Sequence, residues 1–419
     1  MERKYLNRIA DKVLDFALEA SGAVLIEGPK WCGKTWTATE KAASVLSMQD
    51  PDNADVYMKK ANVKASLLLE GKTPRLIDEW QTAPVLWDAV RHVVDKRGMK
   101  GQFILTGSSV PSDNAVKHTG TGRISRITMR PMTLFESQES NGKVPLKSLF
   151  DNEEIEGTST LTIEGLAFAL ARGGWPASIG EKERVALRQA YDYVESVINI
   201  DISRVDGVEK NPERVQALMR SLARNISTAA KMSTIGADIN TEGYLSDKTI
   251  SSYLNALKRI YVVEDLPAWL PSMRSKAILR TSPKRHFVDP SIAAAVLNAS
   301  PKGLLDDFRT FGLLFESLCI RDLRVYSQAM EGKVYYYHDN ADLEADAIIQ
   351  LRDGRWGAIE VKMGGKEIDD AADNLKALEE KIDISKMGAP SFLAVLTAGE
   401  YAYRREDGVY VVPIGCLKD

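Results

Sequence analysis

The sequence predicts an α/β protein built from more than one domain. Near the N-terminus, the apolar run AVLIE leads into a loop with two glycines, and the loop leads into a run of good helix formers (residues 23–43). Two further apolar runs, LIDE and FILTG, alternate with helical patterns, as the strands of a parallel sheet do. Because 419 residues exceed what one hydrophobic core usually organises, we expect two or three domains.

The composition is that of an ordinary globular protein. A formal net charge of -3 and a hydrophobic share of 44% argue against disorder and against a surface that binds polyanions throughout. No apolar run approaches the roughly 20 residues of a membrane helix, and the amphipathic N-terminus lacks the apolar block of a signal peptide. We therefore expect a cytoplasmic protein with no membrane partner. The three cysteines and four histidines show neither a disulfide framework nor a zinc spacing.

The glycine-containing loop matches the phosphate-binding pattern G-x-x-x-x-G-K-[ST] at Gly28, Gly33, Lys34 and Thr35. Glycines let the backbone curl so that its N–H groups point at phosphate oxygens, and the helix N-terminus adds positive potential. Lys34 is placed to reach the β- and γ-phosphates of ATP, and Thr35 to bind the Mg²⁺ that bridges them. The alternative is a glycine-rich turn without a ligand. The residues expected to contact the nucleotide are Gly28, Pro29, Lys30, Trp31, Cys32, Gly33, Lys34, Thr35 and Trp36.

The second apolar run ends in two carboxylates, Asp78 and Glu79. A phosphate loop is paired with an acidic residue at the end of another strand that supports Mg²⁺, and Asp78 is suited to that role. Glu79 is suited to act as the general base that polarises the attacking water. The pair therefore indicates ATP hydrolysis as well as ATP binding. Without a phosphate loop, such a pair would be read as a solvated strand end.

Hydroxyl and arginine side chains follow the third apolar run. Thr106 and Ser108 lie where a parallel strand meets the ligand crevice, so they are candidates to sense the γ-phosphate or to orient water, with ordinary turn residues as the alternative. Further on, Arg123 is our candidate for an arginine that a neighbouring subunit of a homo-oligomer supplies to stabilise the transition state. Arginines at a domain surface are more usually solvated.

The order of the segments GPKWCGKT, LIDEWQ, FILTGSS and GRISRITMRPMTLFE resembles the AAA-type ATPases of bacteria and archaea that carry the C-terminal domain of unknown function 4143. The segments RGGWPAS, DISR, LSDKTISSYLNALKRIYVVEDLPAW and RHFVDPSIAAAVL resemble later parts of the same family. The resemblance implies an ASCE-type P-loop core, a helical and winged-helix middle, and an α/β C-terminal domain similar to restriction endonucleases. We expect these domains at residues 1–160, 161–300 and 301–419.

The middle region contains an amphipathic helix pattern that begins at Ser246, a residue type that caps helix N-termini. Ile250, Leu254, Leu257 and Tyr261 recur at helical spacing. With the helical segment VQALMRSLARNIST upstream, the pattern is consistent with a helix-turn-helix whose second helix enters a DNA major groove, and an interaction module is the alternative. The exposed side of the helix is expected to carry Lys248, Ser251, Ser252, Asn255 and Lys258. The basic residues beyond it, Arg274, Lys276, Arg280, Lys284 and Arg285, are candidates for a wing that contacts DNA phosphates.

In the last third, Asp346, Glu360 and Lys362 resemble the PD-(D/E)xK nuclease arrangement, with Glu316 as the helix acid of that fold. In such a site the carboxylates hold Mg²⁺ and the lysine helps to position or activate the attacking water. A chain of this length shows about one such match by chance, so the spacing alone does not establish nuclease activity. A structural remnant without activity is the alternative.

The turn between the two strands decides whether these side chains converge. A two-residue loop would pair Asp346 with Val361 and point Asp346 away from Glu360 and Lys362. A three-residue loop at residues 353–355 would pair Asp346 with Lys362 and bring all three side chains to one face. A β-bulge that restores the parity is the other way in which they could converge.

Together these patterns predict a Mg²⁺-dependent AAA-type ATPase that acts on or with DNA, with ATP and ADP as its ligands. The alternative is a nucleotide-gated switch that binds DNA or protein, hydrolyses ATP slowly and carries an inactive nuclease-like domain.

Overall fold

A computed structural model describes residues 4–108, 119–205, 208, 210–239, 246–271 and 282–419. The chain divides into two compact units. The first unit comprises Met1–Pro131, Asn199–Glu209 and Asn255–Val262, and the second comprises Met132–Ile198, Lys210–Leu254 and Val263–Asp419. Residues 132–160, which the sequence analysis groups with the first domain, lie in the second unit. The three-domain division stays a prediction.

The first unit is built on a five-stranded parallel sheet with the strand order β2-β3-β4-β1-β5 among the described residues. Its strands are β1 (Ala23–Glu27), β2 (Ser44–Ser47), β3 (Arg75–Asp78), β4 (Phe103–Gly107) and β5 (Ile124–Thr128). Its helices are α1 (Ile9–Ala20), α2 (Lys34–Lys41), α3 (Ala54–Lys64), α4 (Val85–Arg97) and the short α8 (Ile202–Arg204). Helix α11 (Asp247–Arg259) has residues in both units.

Both faces of the parallel sheet are covered by apolar side chains. The cluster on one face contains Leu25, Leu105, Trp80 and Trp87. The cluster on the other face contains Val24, which precedes Leu25 in β1 and therefore points to the opposite side of the sheet. Strands that are buried on both faces require continuous apolar runs and not alternating apolar and polar residues. AVLI and FIL are continuous runs of this kind. The apolar runs therefore form central strands, and their polar carboxyl ends are left at one edge.

The second unit contains a seven-stranded mixed sheet with the order β10-β11-β12-β13-β15-β14-β7. Its strands are β10 (Gly332–His338), β11 (Glu344–Leu351), β12 (Trp356–Lys362), β13 (Phe392–Thr397), β14 (Tyr401–Arg404), β15 (Tyr410–Pro413) and β7 (Gly157–Thr158). Two small sheets pair β6 (Val144–Pro145) with β16 (Leu417–Lys418), and β8 (Val263–Leu266) with β9 (Lys284–Phe287). The segment before residue 160 thus adds strands to the C-terminal part of the fold.

The helices of the second unit include a run that precedes the β8–β9 pair. They are α5 (Leu146–Phe150), α6 (Ile163–Arg172), α7 (Glu183–Ser196), α9 (Pro212–Arg224), α10 (Met232–Ile239), α12 (Pro290–Val296), α13 (Pro301–Asp306), α14 (Phe308–Ala329), α15 (Ile368–Lys381) and α16 (Ile384–Met387). Among the helices in the described part of the chain, none is both long enough and apolar enough to cross a membrane.

Helix α14 is buried along most of its length and carries an ion pair into the interior. The guanidinium of Arg321 donates to Asp322 at 2.8 Å and to Asp289 at 2.8 Å, and all three side chains are almost completely buried. Asp322 also accepts from the backbone N–H of Leu134 at 3.0 Å, and Asp289 accepts from that of Gly174 at 3.0 Å. Burial raises the pKa of Asp322 to about 6, although Arg321 opposes that shift. This guanidinium therefore stabilises two carboxylates that anchor backbone from other segments.

We expect Arg321→Met to lower the free energy of unfolding by about 3–5 kcal/mol, because it leaves two buried carboxylates without their counter-charge. Urea denaturation of the full chain measures the change. Arg352→Met is the matched control, since Arg352 pairs with Glu331 at the surface with 79% of its side chain exposed, and it should change stability little. Equal effects of the two substitutions would contradict a structural role for the buried pair.

Candidate functional site

The phosphate-loop pattern lies where the sequence places it, between β1 and α2. Strand β1 ends at Glu27, and α2 begins at Lys34 directly after Gly33, whose φ of 101° lies in the left-handed region. Gly28 has a φ of 152°, and a Cβ on it would lie 2.1 Å from the carbonyl oxygen of Met129. A glycine is therefore required at position 28 both by the backbone conformation and by the close approach of the neighbouring strand segment.

The Lys34 ammonium is held inside this loop. Its Nζ donates to the carbonyl oxygens of Gly28 at 3.0 Å and of Pro29 at 2.6 Å, and the residue is 6% exposed. These bonds keep a buried positive charge against the loop at the N-terminus of α2, where backbone N–H groups are not used within the helix. The arrangement suits a polyphosphate anion.

The remaining side chains of the loop differ in what they contact. Lys30 forms a salt bridge with Asp201 at 2.6 Å, and Cys32 is completely buried and points its thiol toward the carbonyl of Met129 at 3.5 Å. Trp31 is 50% exposed and Trp36 is 36% exposed. Of the predicted nucleotide contacts, Cys32 thus belongs to the core of the first unit, while the two tryptophan rings face solvent.

Asp78 links the loop to the adjoining strands. Its Oδ1 accepts from the hydroxyl of Thr35 at 2.8 Å and from the hydroxyl of Thr106 at 2.6 Å. The parallel register pairs Asp78 with Thr106, so these side chains meet at the carboxyl edge of the sheet. A hydroxyl and a carboxylate beside a phosphate loop are the donor set that Mg²⁺ uses in nucleotide sites, with phosphates and water completing the shell. Thr35 and Asp78 therefore fit the ion predicted for them.

Glu79 follows Asp78 in a left-handed conformation, with a φ of 55°. Its Oε2 accepts from the side-chain amide of Gln81 and, at 3.5 Å, from the hydroxyl of Ser108. A Cβ on Gly107 would lie 2.9 Å from Oε1 of Gln81, so the glycine leaves room for that amide. The structure brings the predicted Glu79 and Ser108 together and adds Gln81, which sequence reasoning missed although it stands two residues after Glu79 in LIDEWQ.

Arg123 lies at the other end of the sheet from the phosphate loop. It immediately precedes β5, whose first residue Ile124 pairs with Ala23 at the amino end of β1. The Arg123 guanidinium donates to Asp95 at 2.8 Å, and this hydrogen bond lowers the pKa of Asp95. Within one chain, Arg123 is therefore placed away from the loop that begins at Gly28.

In the second unit, the β11–β12 hairpin has a three-residue loop, Arg352 to Gly354, because Leu351 donates to the carbonyl of Arg355 at 2.8 Å. The register pairs Ala347 with Ile359. Continued by one residue, this register places Asp346 opposite Glu360. The loop therefore has the odd length of the second alternative but lies one residue earlier than 353–355, and the residue opposite Asp346 is Glu360, two residues before Lys362.

The odd loop length nevertheless brings the predicted residues to one face. Asp346 accepts from the backbone N–H of Val361 at 2.9 Å, and Lys362 forms a salt bridge with Glu360 at 2.9 Å. Burial, reinforced by the charge of Asp346, raises the pKa of Glu360 to about 7, while Lys362 opposes the shift. The side-chain amide of Asn374 also donates to Glu360 at 3.2 Å.

A second lysine enters this cluster from β9. The ammonium of Lys284 lies 2.6 Å from Glu344, 3.1 Å from Glu316 and 3.4 Å from Asp346. Burial raises the pKa of Glu316 to about 8, with a further contribution from Asp346 and opposition from Lys284. Within the part of the chain that the structure describes, no group of three or more acidic, histidine or cysteine side chains is arranged to hold a metal ion. The ammonium of Lys284 lies among Glu316, Glu344 and Asp346, in the space where a nuclease site would hold Mg²⁺, so the cluster in this conformation does not fit that ion.

This placement corrects the prediction that Lys284 and Arg285 belong to a basic surface that contacts DNA phosphates. Lys284 is 4% exposed and Arg285 is 8% exposed, and Arg285 donates to the carbonyl of Ala230 at 2.7 Å. The other members of that set, Arg274, Lys276 and Arg280, lie outside the described residues.

The predicted amphipathic helix is α11. Ser246 accepts from the backbone N–H of Thr249 at 3.2 Å, as an N-cap residue does. Ile250, Leu254 and Leu257 are buried. The polar face is mixed: Lys248, Ser252 and Asn255 are exposed, whereas Ser251 and Lys258 are half-buried.

Comparison with known proteins divides the chain into three matched segments. Residues 20–138 match the model of an AAA domain, residues 163–303 match a domain of unknown function (DUF8612), and residues 311–417 match another domain of unknown function (DUF4143). The AAA domain and the C-terminal domain of unknown function 4143 that the resemblance predicts are both confirmed.

Similar proteins and structures extend over most of the chain. The uncharacterised proteins Mb2031c of Mycobacterium bovis and Rv2008c of Mycobacterium tuberculosis are each 22% identical over 95% of this chain and 81% of their own length. A Walker-type ATPase, PABY2304 of Pyrococcus abyssi, aligns with a TM-score of 0.41 and 12% identity over 70% of this chain and 96% of its own. DnaA of Aquifex aeolicus bound to AMPPCP aligns with a TM-score of 0.29 and 15% identity, covering 62% and 89%.

We expect Gly28→Ala to weaken nucleotide binding by about 5- to 150-fold, because the new methyl group would strain the loop by about 1–3 kcal/mol against Met129. Titration with a fluorescent ATP analogue measures the affinity. Gly364→Ala is the control, since Gly364 has an ordinary φ of -125° and a Cβ there meets nothing within 4 Å. Unchanged affinity in Gly28→Ala would show that the loop geometry is not what binds the nucleotide.

Proposed function

We propose that this chain hydrolyses ATP in a Mg²⁺-dependent reaction and couples the cycle to DNA. The observation that carries the proposal is the hydrogen-bonded group of Thr35, Asp78 and Thr106 at the carboxyl edge of the sheet, directly beside the loop that holds Lys34. It joins the end of β3 to the start of α2, which are the positions from which P-loop enzymes hold the phosphates and their metal ion.

The side chains of the loop have separable roles in binding. The Lys34 ammonium would leave the carbonyls of Gly28 and Pro29 and donate to the β- and γ-phosphates, and the loop N–H groups would donate to the β-phosphate. Mg²⁺, held by Thr35 and supported by Asp78, would supply positive charge that offsets the charge of the phosphates. The Thr106 hydroxyl fixes the orientation of the Asp78 carboxylate.

Glu79 is the proposed general base. Its carboxylate would accept a hydrogen bond from the water that attacks the γ-phosphorus and take up a proton of that water as the new P–O bond forms. The bond from the γ-phosphorus to the oxygen that bridges it to the β-phosphorus would break at the same time, so that ADP leaves with that oxygen and inorganic phosphate is released. Ser108, which contacts the same carboxylate, would keep it directed at the edge of the sheet. To accept a hydrogen bond from the attacking water, the Glu79 carboxylate must either lose the hydrogen bond from the Gln81 amide or accept both at once.

A nucleotide-gated switch is the second candidate function. Gln81 and Ser108 engage the same oxygen of Glu79, so the structure holds the base in a conformation that is already satisfied. An enzyme of this kind would hydrolyse slowly until a partner released Glu79. The exposed Lys248, Ser252 and Asn255 on α11, ahead of the β8–β9 pair, support DNA as that partner, since this is the order of elements in a winged helix.

Steady-state ATP hydrolysis with and without double-stranded DNA tests the proposal. Lys34→Ala should abolish turnover and weaken ATP binding, whereas Glu79→Gln should keep binding and reduce turnover about 10²–10⁴-fold. Lys41→Ala is the control, because Lys41 lies on the same helix and pairs with Asp15 at the surface. Stimulation by DNA supports the coupled enzyme, and binding without turnover, with DNA affinity changed by ATP, supports the switch. Full turnover in Lys34→Ala would refute both.

The proposed role of Arg123 in a neighbouring subunit has its own test. Arg123→Ala should lose turnover, and mixing it with the inactive Lys34→Ala variant should restore part of the activity, because the second variant still carries Arg123 for its neighbour. Activity is measured over a range of mixing ratios. Arg352→Ala, a surface arginine of the second unit, is the control. If the mixtures stay inactive, or if Arg123→Ala is fully active, Arg123 is not that arginine.

A further inference from the structure

Lys284 occupies the centre of the carboxylate cluster in the second unit. Its ammonium lies within 3.4 Å of oxygens of Glu316, Glu344 and Asp346, which come from α14 and β11. The side chain of Lys284 is 6% exposed. A positive charge surrounded by acidic oxygens on different elements is the arrangement that a nuclease-like fold otherwise uses to hold a divalent metal ion.

The carboxylate oxygens lie at ion-pair distances from the ammonium and not at the distances of metal ligands from the same point. The ammonium contacts are at 2.6, 3.1 and 3.4 Å. Mg²⁺ holds oxygen ligands at about 2.0–2.1 Å, and Ca²⁺ at about 2.3–2.6 Å. Placing either ion among these carboxylates would require the ammonium to leave and the oxygens to move inward.

The backbone of β9 keeps Lys284 in this position. Strand β9 pairs with β8 through Leu266 and Lys284, and the next residue, Arg285, donates to the carbonyl of Ala230. His286, two residues along and therefore on the same face as Lys284, shares a hydrogen bond of 3.1 Å with Ser317 of α14. The contacts on both faces of β9 leave the ammonium directed at the acids.

Two lysines bring positive charge to the cluster. The ammonium of Lys284 contacts Glu316, Glu344 and Asp346, and the ammonium of Lys362 lies 2.9 Å from Glu360 at the other side of the cluster. Each acidic side chain of the cluster therefore has an ammonium as a partner.

We infer that Lys284 is a built-in counter-cation that takes the place of a divalent metal ion, so that this cluster is an ion-paired structural centre and not a nuclease site. The inference is independent of ATP hydrolysis, because Lys284 and its partners belong to the second unit. It follows that removing the Lys284 ammonium leaves excess negative charge in a buried space and creates a site that a divalent cation stabilises.

The test measures Mn²⁺ binding by the full chain without nucleotide, by electron paramagnetic resonance, together with the thermal midpoint with and without Mn²⁺. Lys284→Met should lower the midpoint, bind Mn²⁺ at least tenfold more tightly than the unsubstituted chain, and recover stability on adding it. Lys386→Met is the control: it removes a largely exposed lysine of the second unit whose partner is Asp383, not a member of the cluster, and it should gain no Mn²⁺ site.

If Lys284→Met does not fold, the double variant Lys284→Met with Glu344→Gln decides, because it removes Lys284 together with its nearest carboxylate and should fold without metal. Failure of the double variant to fold would overturn the inference. So would Mn²⁺ binding by the unsubstituted chain that is lost in Asp346→Asn, or Mg²⁺-dependent DNA cleavage lost in the same variant. A Lys284→Met chain that folds and gains no Mn²⁺ affinity would overturn it as well.

Discussion

The parallel register of β1 with its two neighbours is the constraint on which the nucleotide site depends. Parallel strands end at the same edge of a sheet, so the loop after β1 and the carboxylates after β3 meet there even though β4 lies between them. Thr106 at the end of β4 fills the gap and contacts Asp78. The hydroxyl of Thr35 can therefore reach Asp78 from the start of α2. A slip of one residue in this register would separate these side chains.

The two acidic sites of the chain contain similar side chains but differ in the groups that contact their carboxylates. At the sheet edge of the first unit, the described hydrogen bonds of Asp78 come from two hydroxyls, and none of them comes from a lysine. In the second unit, Glu316 and Asp346 already contact the ammonium of Lys284. Carboxylates that contact only hydroxyls are available to a cation, whereas carboxylates bound to a buried ammonium are not.

How far the sequence predicts these sites depends on how local the determining contacts are. The phosphate loop is specified by eight consecutive residues and lies as expected between β1 and α2. The sequence predicts that the loop of the β11–β12 hairpin has either two or three residues. It does not decide which residues form the loop, because Gly354 can serve more than one turn type. The contact of Lys284 with Asp346 spans 62 residues of sequence, and no local pattern distinguishes that lysine from its basic neighbours.

In the proposed mechanism, the hydrogen bonds of Glu79 make ATP turnover dependent on the conformation of that side chain. Glu79 is held by Gln81 and Ser108 and has a left-handed backbone, a conformation that costs a non-glycine residue about 1–3 kcal/mol. Each hydrogen bond to a charged group contributes about 1.5–3 kcal/mol. A partner or a neighbouring subunit needs only a binding free energy of that size to change which group the carboxylate contacts. Because one such contact changes a rate by tenfold or more, the resting geometry of Glu79 allows a small binding event to control hydrolysis.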